Sequence, residues 1–188
     1  MVEAPSELHS VCVFCGSSMG AKPIFEETAR ELGEALAAEG LRLVYGGGGV
    51  GLMGASARAA HEAGGAVLGI MPDFLRAKER LLDEVETVVV QTMHERKSMM
   101  YDASEAFVVL PGGIGTLEEA IELMSWRRLS LHLKPIWFVN VDGFWDALIA
   151  LFHNNVSTGM TPDWFLDTFH VVDDVPGLML SMKTWFNR

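Results

Sequence analysis

Hydrophobic positions in this chain fall in short unbroken runs, separated by longer stretches with helical spacing. The runs "SVCVFC" (10–15), "LRLVY" (41–45), "AVLGIM" (66–71), "VETVVVQ" (85–91), "AFVVL" (106–110), "PIWFVN" (135–140) and "TFHVV" (168–172) read as seven strands. Residues 24–39 carry Phe25, Ala29, Leu32 and Leu36 along one helix face and stop at Gly40. Residues 52–63, 93–104, 116–131, 143–155 and 174–186 predict further helices. The polar segment 73–84, which contains "RAKER", predicts a loop or short helix.

The central runs are apolar on both faces, as a sheet covered on both sides requires. Strand followed by helix, repeated along the chain, implies parallel pairing with right-handed crossovers. The prediction is a single α/β domain over residues 1–188, with a flexible tail at 1–9. It is a Rossmann-like, doubly wound parallel sheet with helices on both faces. Such sheets bind ligands at the carboxyl ends of their strands. Three glycine turns fall there: "GSS" (16–18), "GGGGVG" (46–51) and "PGGIGT" (111–116).

Composition narrows the function. The chain has 188 residues, 49% of them hydrophobic, enough for one core. No apolar run approaches the roughly 20 residues that cross a bilayer. The first ten residues are acidic and polar, without a signal-like apolar core. A soluble, cytoplasmic protein with no membrane partner is expected. A net charge of −11 argues against a nucleic-acid polymer as partner, but leaves room for one small anion in a local pocket. Cys12 and Cys15 are spaced C-x-x-C, yet both lie in an apolar strand pattern with no further zinc ligands nearby. They read as two buried, reduced thiols, and no metal site is expected.

Two glycine loops carry the candidate chemistry. "GVGLMG" (49–54) matches G-x-G-x-x-G, and Asp73 follows about 20 residues on, so an NAD-dependent oxidoreductase is a rival reading. Against it, the fingerprint follows the second strand, not the first, and a second glycine loop also opens a helix. Successive glycines let backbone N–H groups converge on an anion at the positive end of a helix. Two such nests, with Gly16, Ser17, Gly46, Gly47, Gly48 and Gly51 around one and Gly113, Gly115 and Thr116 around the other, suit a phosphate and the sugar beside it. Thr116 and Glu119 have the spacing of a capping box. Glu119 nevertheless shares a face with Glu122 and Trp126, away from the stripe Leu117, Ala120, Ile121 and Met124, so it also has access to the strand ends. Arg96 and Lys97 lie in the first turns of a helix, where the dipole disfavours cations; in an acidic chain they suit a phosphorylated ligand.

Together these segments resemble a known family. "CVFCGSS", "YGGGGVGLMG", "MHERK", "PGGIGTLEE" and "KPIWFVNVDGFW" occur in the order and spacing of the LONELY GUY (LOG) family, over residues 10–174. That family is often labelled "possible lysine decarboxylase", although no lysine here has a recognisable Schiff-base context. The resemblance implies a nucleotide N-glycosidase. It would hydrolyse cytokinin riboside 5′-monophosphates and/or AMP to free base and ribose 5-phosphate, without metal or cofactor. It implies Arg96 and Glu119 as the catalytic pair. Lys97, Glu79 and the loop Gly113, Ile114, Gly115, Thr116, Leu117 and Glu118 would contact substrate. Ser125 stands where plant relatives carry threonine, and Gly49 where Ser or Asn is common. A non-catalytic carrier of a nucleotide or of molybdenum cofactor on the same fold is the alternative, and intact Arg96 and Glu119 favour the enzyme. The resemblance also implies a homodimer or higher homo-oligomer with pockets at the subunit boundary. Crowding of Trp126, Trp137, Phe138, Phe144, Trp145 and Phe152 points the same way and places the helix 116–131 near the interface.

Overall fold

The computed structural model describes residues 3–187. Its strands are β1 (Ser10–Phe14), β2 (Arg42–Tyr45), β3 (Val67–Pro72), β4 (Glu86–Val90), β5 (Ala106–Val109), β6 (Ile136–Val139) and β7 (His170–Val172). They pair in parallel as one sheet in the order β4-β3-β2-β1-β5-β6-β7. The helices are α1 (Pro23–Ala38), α2 (Gly51–Glu62), α3 (Arg76–Glu79), α4 (Met93–Asp102), α5 (Ile114–Arg128), α6 (Asp146–Ser157) and α7 (Val175–Phe186). Every expected strand is present, and the polar segment after β3 holds a 3-10 turn and the single turn of α3.

Period-two alternation in β1 sends its side chains into two cores. Val11, Val13 and Cys15 join residues of α1, α2 and α7 on one face. Cys12 and Phe14 join residues of α4, α5 and α6 on the other. The two cysteines therefore face opposite ways and are both free and buried. Burial raises both thiols, Cys15 to about 12, so neither supplies a thiolate at neutral pH. On the first face α1 and α2 cross so closely that a Cβ on Gly33 would lie 2.2 Å from the Ser56 carbonyl oxygen.

The chain leaves β1 towards α1 on one face and leaves the neighbouring β5 towards α5 on the other. This is the point where the winding reverses, and the loops after β1 and β5 diverge there to open a crevice.

Two expectations need correction or limits. Trp137, Phe138, Trp145 and Phe152 are buried within this chain's own core, so they are not a surplus awaiting a partner. Trp126 is half-buried with its ring edge-on to Tyr101, centroids 5.7 Å apart. Of the expected flexible tail, Met1 and Val2 lie outside the described residues. Residues 3–9 form no helix or strand, though Leu8 packs on the core and His9 N donates to Glu105 Oε2 at 3.1 Å.

Candidate active site

The geometry begins at the start of α4. Thr92 Oγ1 accepts from Glu95 N at 3.1 Å, and Glu95 Oε2 accepts from Thr92 N at 3.2 Å. This capping box fixes the first turn, so that Arg96 one position later turns inward and is buried. Its Nε donates to the Ile70 carbonyl at 3.2 Å and its Nη2 to the Gly46 carbonyl at 3.4 Å. A Cβ on Gly46 would lie 1.9 Å from Nη2, so glycine is the residue that lets the guanidinium in.

A buried charge needs a buried partner. Arg96 Nη1 meets Glu119 Oε1 at 2.9 Å, with side-chain exposures of 7% and 10%. Desolvation pushes the Glu119 carboxyl above its ordinary range, while Arg96 pulls it back; Glu118 and Glu79 add to the rise and Lys97 opposes it. Glu119 thus sits among opposing fields, a carboxylate poised for proton work or for meeting developing positive charge.

The expected capping box at Thr116 and Glu119 does not form. Helix α5 starts at Ile114 with Gly113 as N-cap, so Thr116 is already the third helical residue. Its hydroxyl packs where a Cβ on Gly112 would be 2.1 Å away, and Glu119 is free to face α4. The first turn of α5 carries no side-chain cap, and Gly113 and Gly115 open onto empty space. First-turn amides have no partner inside their own helix, so this terminus presents donors and a positive dipole end to the cleft.

The second expected nest is closed. Leu52 N and Met53 N, at the start of α2, both donate to the Gly16 carbonyl, at 3.0 and 3.3 Å. Gly49 N donates to the Glu79 and Arg80 carbonyls. A Cβ on Gly51 (φ +62°) would fall 2.2 Å from the Ser17 carbonyl carbon, so the loop after β1 lies across this helix end. The pyrophosphate position of the dinucleotide reading is occupied by the protein's own chain. The glycines serve side chains instead: Gly46 admits Arg96, and Gly48 admits Met53, whose Cε would lie 2.8 Å from a Cβ there.

Between these walls lies a cleft of about 500 Å³, lined by Ser17, Glu79, Arg96, Glu119 and the α5 terminus at Gly113, Ile114, Gly115 and Thr116. Glu79 Oε2 is buried in its wall without a hydrogen-bond partner. Cys15 and Met53 also line the cleft and were not singled out from sequence. The position of Cys15 just past the end of β1 was the available signal.

Other expected site residues lie elsewhere. Lys97 Nζ bridges Glu118 Oε1 and Glu122 Oε2, at 2.7 Å each. Burial lowers its ammonium, but hydrogen bonds to the two carboxylates outweigh that and leave it raised. Gly16 lines an adjoining cleft of about 420 Å³ with Met19, Phe25 and Phe144. Gly47 (φ +81°) turns the chain against Ile70 and Met71. Leu117 and Ser125 face away from the Arg96–Glu119 cleft, into an apolar groove of about 910 Å³ with Ile121, Leu148 and Leu151.

The sequence model of a family described as "possible lysine decarboxylase" matches residues 53–182. A rice (Oryza sativa subsp. japonica) protein named "Probable cytokinin riboside 5'-monophosphate phosphoribohydrolase LOGL9" is 43% identical over 181 residues, covering 96% of this chain and 80% of its own. The Arabidopsis thaliana cytokinin riboside 5′-monophosphate phosphoribohydrolase LOG2 is 43% identical over 160 residues, 85% of this chain and 75% of its own. Among solved structures, the molybdenum cofactor carrier protein of Chlamydomonas reinhardtii superposes with a TM-score of 0.73 at 21% identity, covering 97% of this chain and 100% of that one. The molybdenum cofactor binding protein of Rippkaea orientalis gives 0.70 at 22%, covering 95% and 97%. The structural matches show the fold alone, whereas the sequence matches span most of the chain, and the chain belongs to the LOG family.

Proposed function

We propose that this protein is a phosphoribohydrolase that cleaves the N-glycosidic bond of purine riboside 5′-monophosphates, either cytokinin ribosides or AMP. The observation that carries this reading is the 2.9 Å Arg96–Glu119 pair in the same cleft as the open amino terminus of α5. The 5′-phosphate rests on the amides of residues 113–116, with the Ser17 and Thr116 hydroxyls at hand. That remote contact fixes the sugar for reaction. As the C1′–N9 bond breaks, its electron pair leaves on the base, which takes up a proton, and positive charge grows on the ribose. Glu119 stabilises that charge and orients the water whose oxygen bonds to C1′, and the proton that this water loses balances the one the base takes up. Arg96 favours the ionised form of Glu119 and opposes the effect of its burial. The unpartnered Glu79 oxygen accepts from a ribose hydroxyl.

The carrier alternative shares the fold but gives no role to a buried ion pair at the cleft floor. The oxidoreductase reading lacks its pyrophosphate site, because Gly16 caps α2.

The assembly proposed is a homodimer through the groove between α5 and α6, where Ile121 and Leu151 are exposed. This would place Leu117 and Ser125 at the subunit boundary. No helix among the described residues is long and apolar enough to cross a membrane, and we read the compartment as the cytoplasm.

The test is incubation with AMP, isopentenyladenosine monophosphate and adenosine, followed by chromatography for free base. A kcat/KM roughly 100-fold or more higher for the nucleotides than for adenosine supports phosphate anchoring. Equal rates on AMP and adenosine contradict it, and absence of base from all three contradicts the reaction.

A further inference from the structure

We propose that Lys97 is a positioning residue that clamps α5 through Glu118 and Glu122, so that Glu119, between them, is aimed at Arg96. The resemblance assigns Lys97 and Glu118 to substrate contact; this inference gives both another task and rests on Glu119 as the catalytic carboxylate.

The geometry is specific. Glu118 and Glu122 are four residues apart, one turn above the other on the same side of α5. The Lys97 ammonium sits between them at 2.7 Å from each, with its side chain 17% exposed. Two of its three N–H donors are thereby committed to charge-assisted bonds. Arg96, one residue earlier on α4, takes Glu119 at 2.9 Å. Adjacent cations on α4 thus grip three carboxylates of α5, and the Tyr101–Trp126 contact ties the helices further along. Lys97, Glu119 and Glu122 also wall a small aromatic-sided cavity with Tyr101 and Trp126. A rotation of α5 about its axis would swing Glu119 off Arg96, and the bridged pair resists that rotation.

The test uses the full chain in four forms: Lys97→Met, Lys97→Arg, the double variant Glu118→Gln/Glu122→Gln, and Lys97→Met combined with that double variant. Lys97→Met and the double variant should each lower kcat for AMP roughly 10- to 100-fold, the cost of about an ångström of misplacement. KM should stay within about threefold, and the losses should not add when combined. Lys97→Arg, which also bridges two carboxylates, should restore most of the rate. The pH profiles separate position from field. Glu119 faces Arg96 and Lys97 from α4, Glu79 from α3, its helix neighbour Glu118, and the neutral thiols of Cys12 in β1 and Cys15 just past its end. Removing the Lys97 charge moves the acid limb of kcat up, and removing the two carboxylates moves it down, yet kcat falls in both. Hydrogen exchange gives a readout independent of turnover: amides of α5 should exchange faster in both variants. That measurement decides the clamp even if the wild type shows no hydrolysis. A tenfold rise in KM for Lys97→Met at unchanged kcat and unchanged α5 exchange would overturn the proposal. So would a double variant with wild-type kcat and wild-type exchange.

Discussion

Replacing Gly46 with alanine tests whether the placement of Arg96 sets the rate. Gly46 does not have a positive φ, so alanine is compatible with its backbone and the effect is steric. The added Cβ would lie 1.9 Å from Arg96 Nη2 and 3.2 Å from Met53 Sδ. Ordinary contact requires the guanidinium to retreat by about 1.5 Å. That retreat pulls against the bond to the Ile70 carbonyl and the 2.9 Å pair with Glu119. Weakening one charged hydrogen bond costs about 1.5–3 kcal/mol, and the stiffer unfolded chain returns about 0.4–1 kcal/mol. A net loss of about 0.5–2.6 kcal/mol corresponds to a fall of roughly 1–10 °C in Tm for a domain of this size. The rate should suffer far more than the fold, because about 1 Å of misplacement costs on the order of 100-fold in kcat. Calorimetry at pH 7 reads the first quantity and release of adenine from AMP reads the second. A variant that turns over within about threefold of wild type would refute the claim that Arg96 must occupy this position.

Glu119→Gln should remain folded and lose most turnover, since the amide still accepts from Arg96 but carries no charge; near-normal kcat would remove Glu119 from the chemistry. Because burial raises the folded-state Glu119 carboxyl, its ionisation opposes folding. That penalty is absent below the unfolded carboxylate pKa and is fully developed once pH passes the folded one. The Tm of Glu119→Gln relative to wild type should therefore climb from acid to neutral pH, and a flat difference would contradict the raised value. The same shift puts the acid limb of wild-type kcat above the ordinary carboxylate range, with turnover lost as pH falls through it. Ile121→Asp should convert a dimer to a monomer in light scattering with loss of activity, whereas a wild-type protein that is a fully active monomer would refute the assembly. Calorimetry should detect no NADH binding, because the α2 amides at Leu52 and Met53 already donate to Gly16; micromolar affinity would reopen that reading.

Much of the fold was legible because its signals are local. The buried strands are unbroken apolar runs, and the glycine turns mark their carboxyl ends. What escaped was decided by distant approach. Thr116 and Glu119 matched a capping pattern, but α5 begins at Ile114, and Glu119 gains more from a buried guanidinium 23 positions earlier in the chain. The capping box instead forms at Thr92 and Glu95, one residue before Arg96. The glycines at 46 and 48 looked like a backbone nest, and nothing local reveals that Arg96, 50 positions on, fills the space a side chain at 46 would take. The late aromatics suggested an interface by number alone. Burial shows that Trp137, Phe138, Trp145 and Phe152 belong to the core, and that the exposed apolar groove is lined by Ile121, Leu148 and Leu151.

The most direct measurement identifies the products that the wild-type protein forms from AMP, by chromatography with standards. Adenine and ribose 5-phosphate should appear in equal amounts, with no adenosine or inorganic phosphate formed at any stage. Adenosine with phosphate would place the cut at the phosphate ester rather than at C1′. That result, or intact AMP after prolonged incubation, would contradict a cleft built to anchor the phosphate and hydrolyse the glycosidic bond.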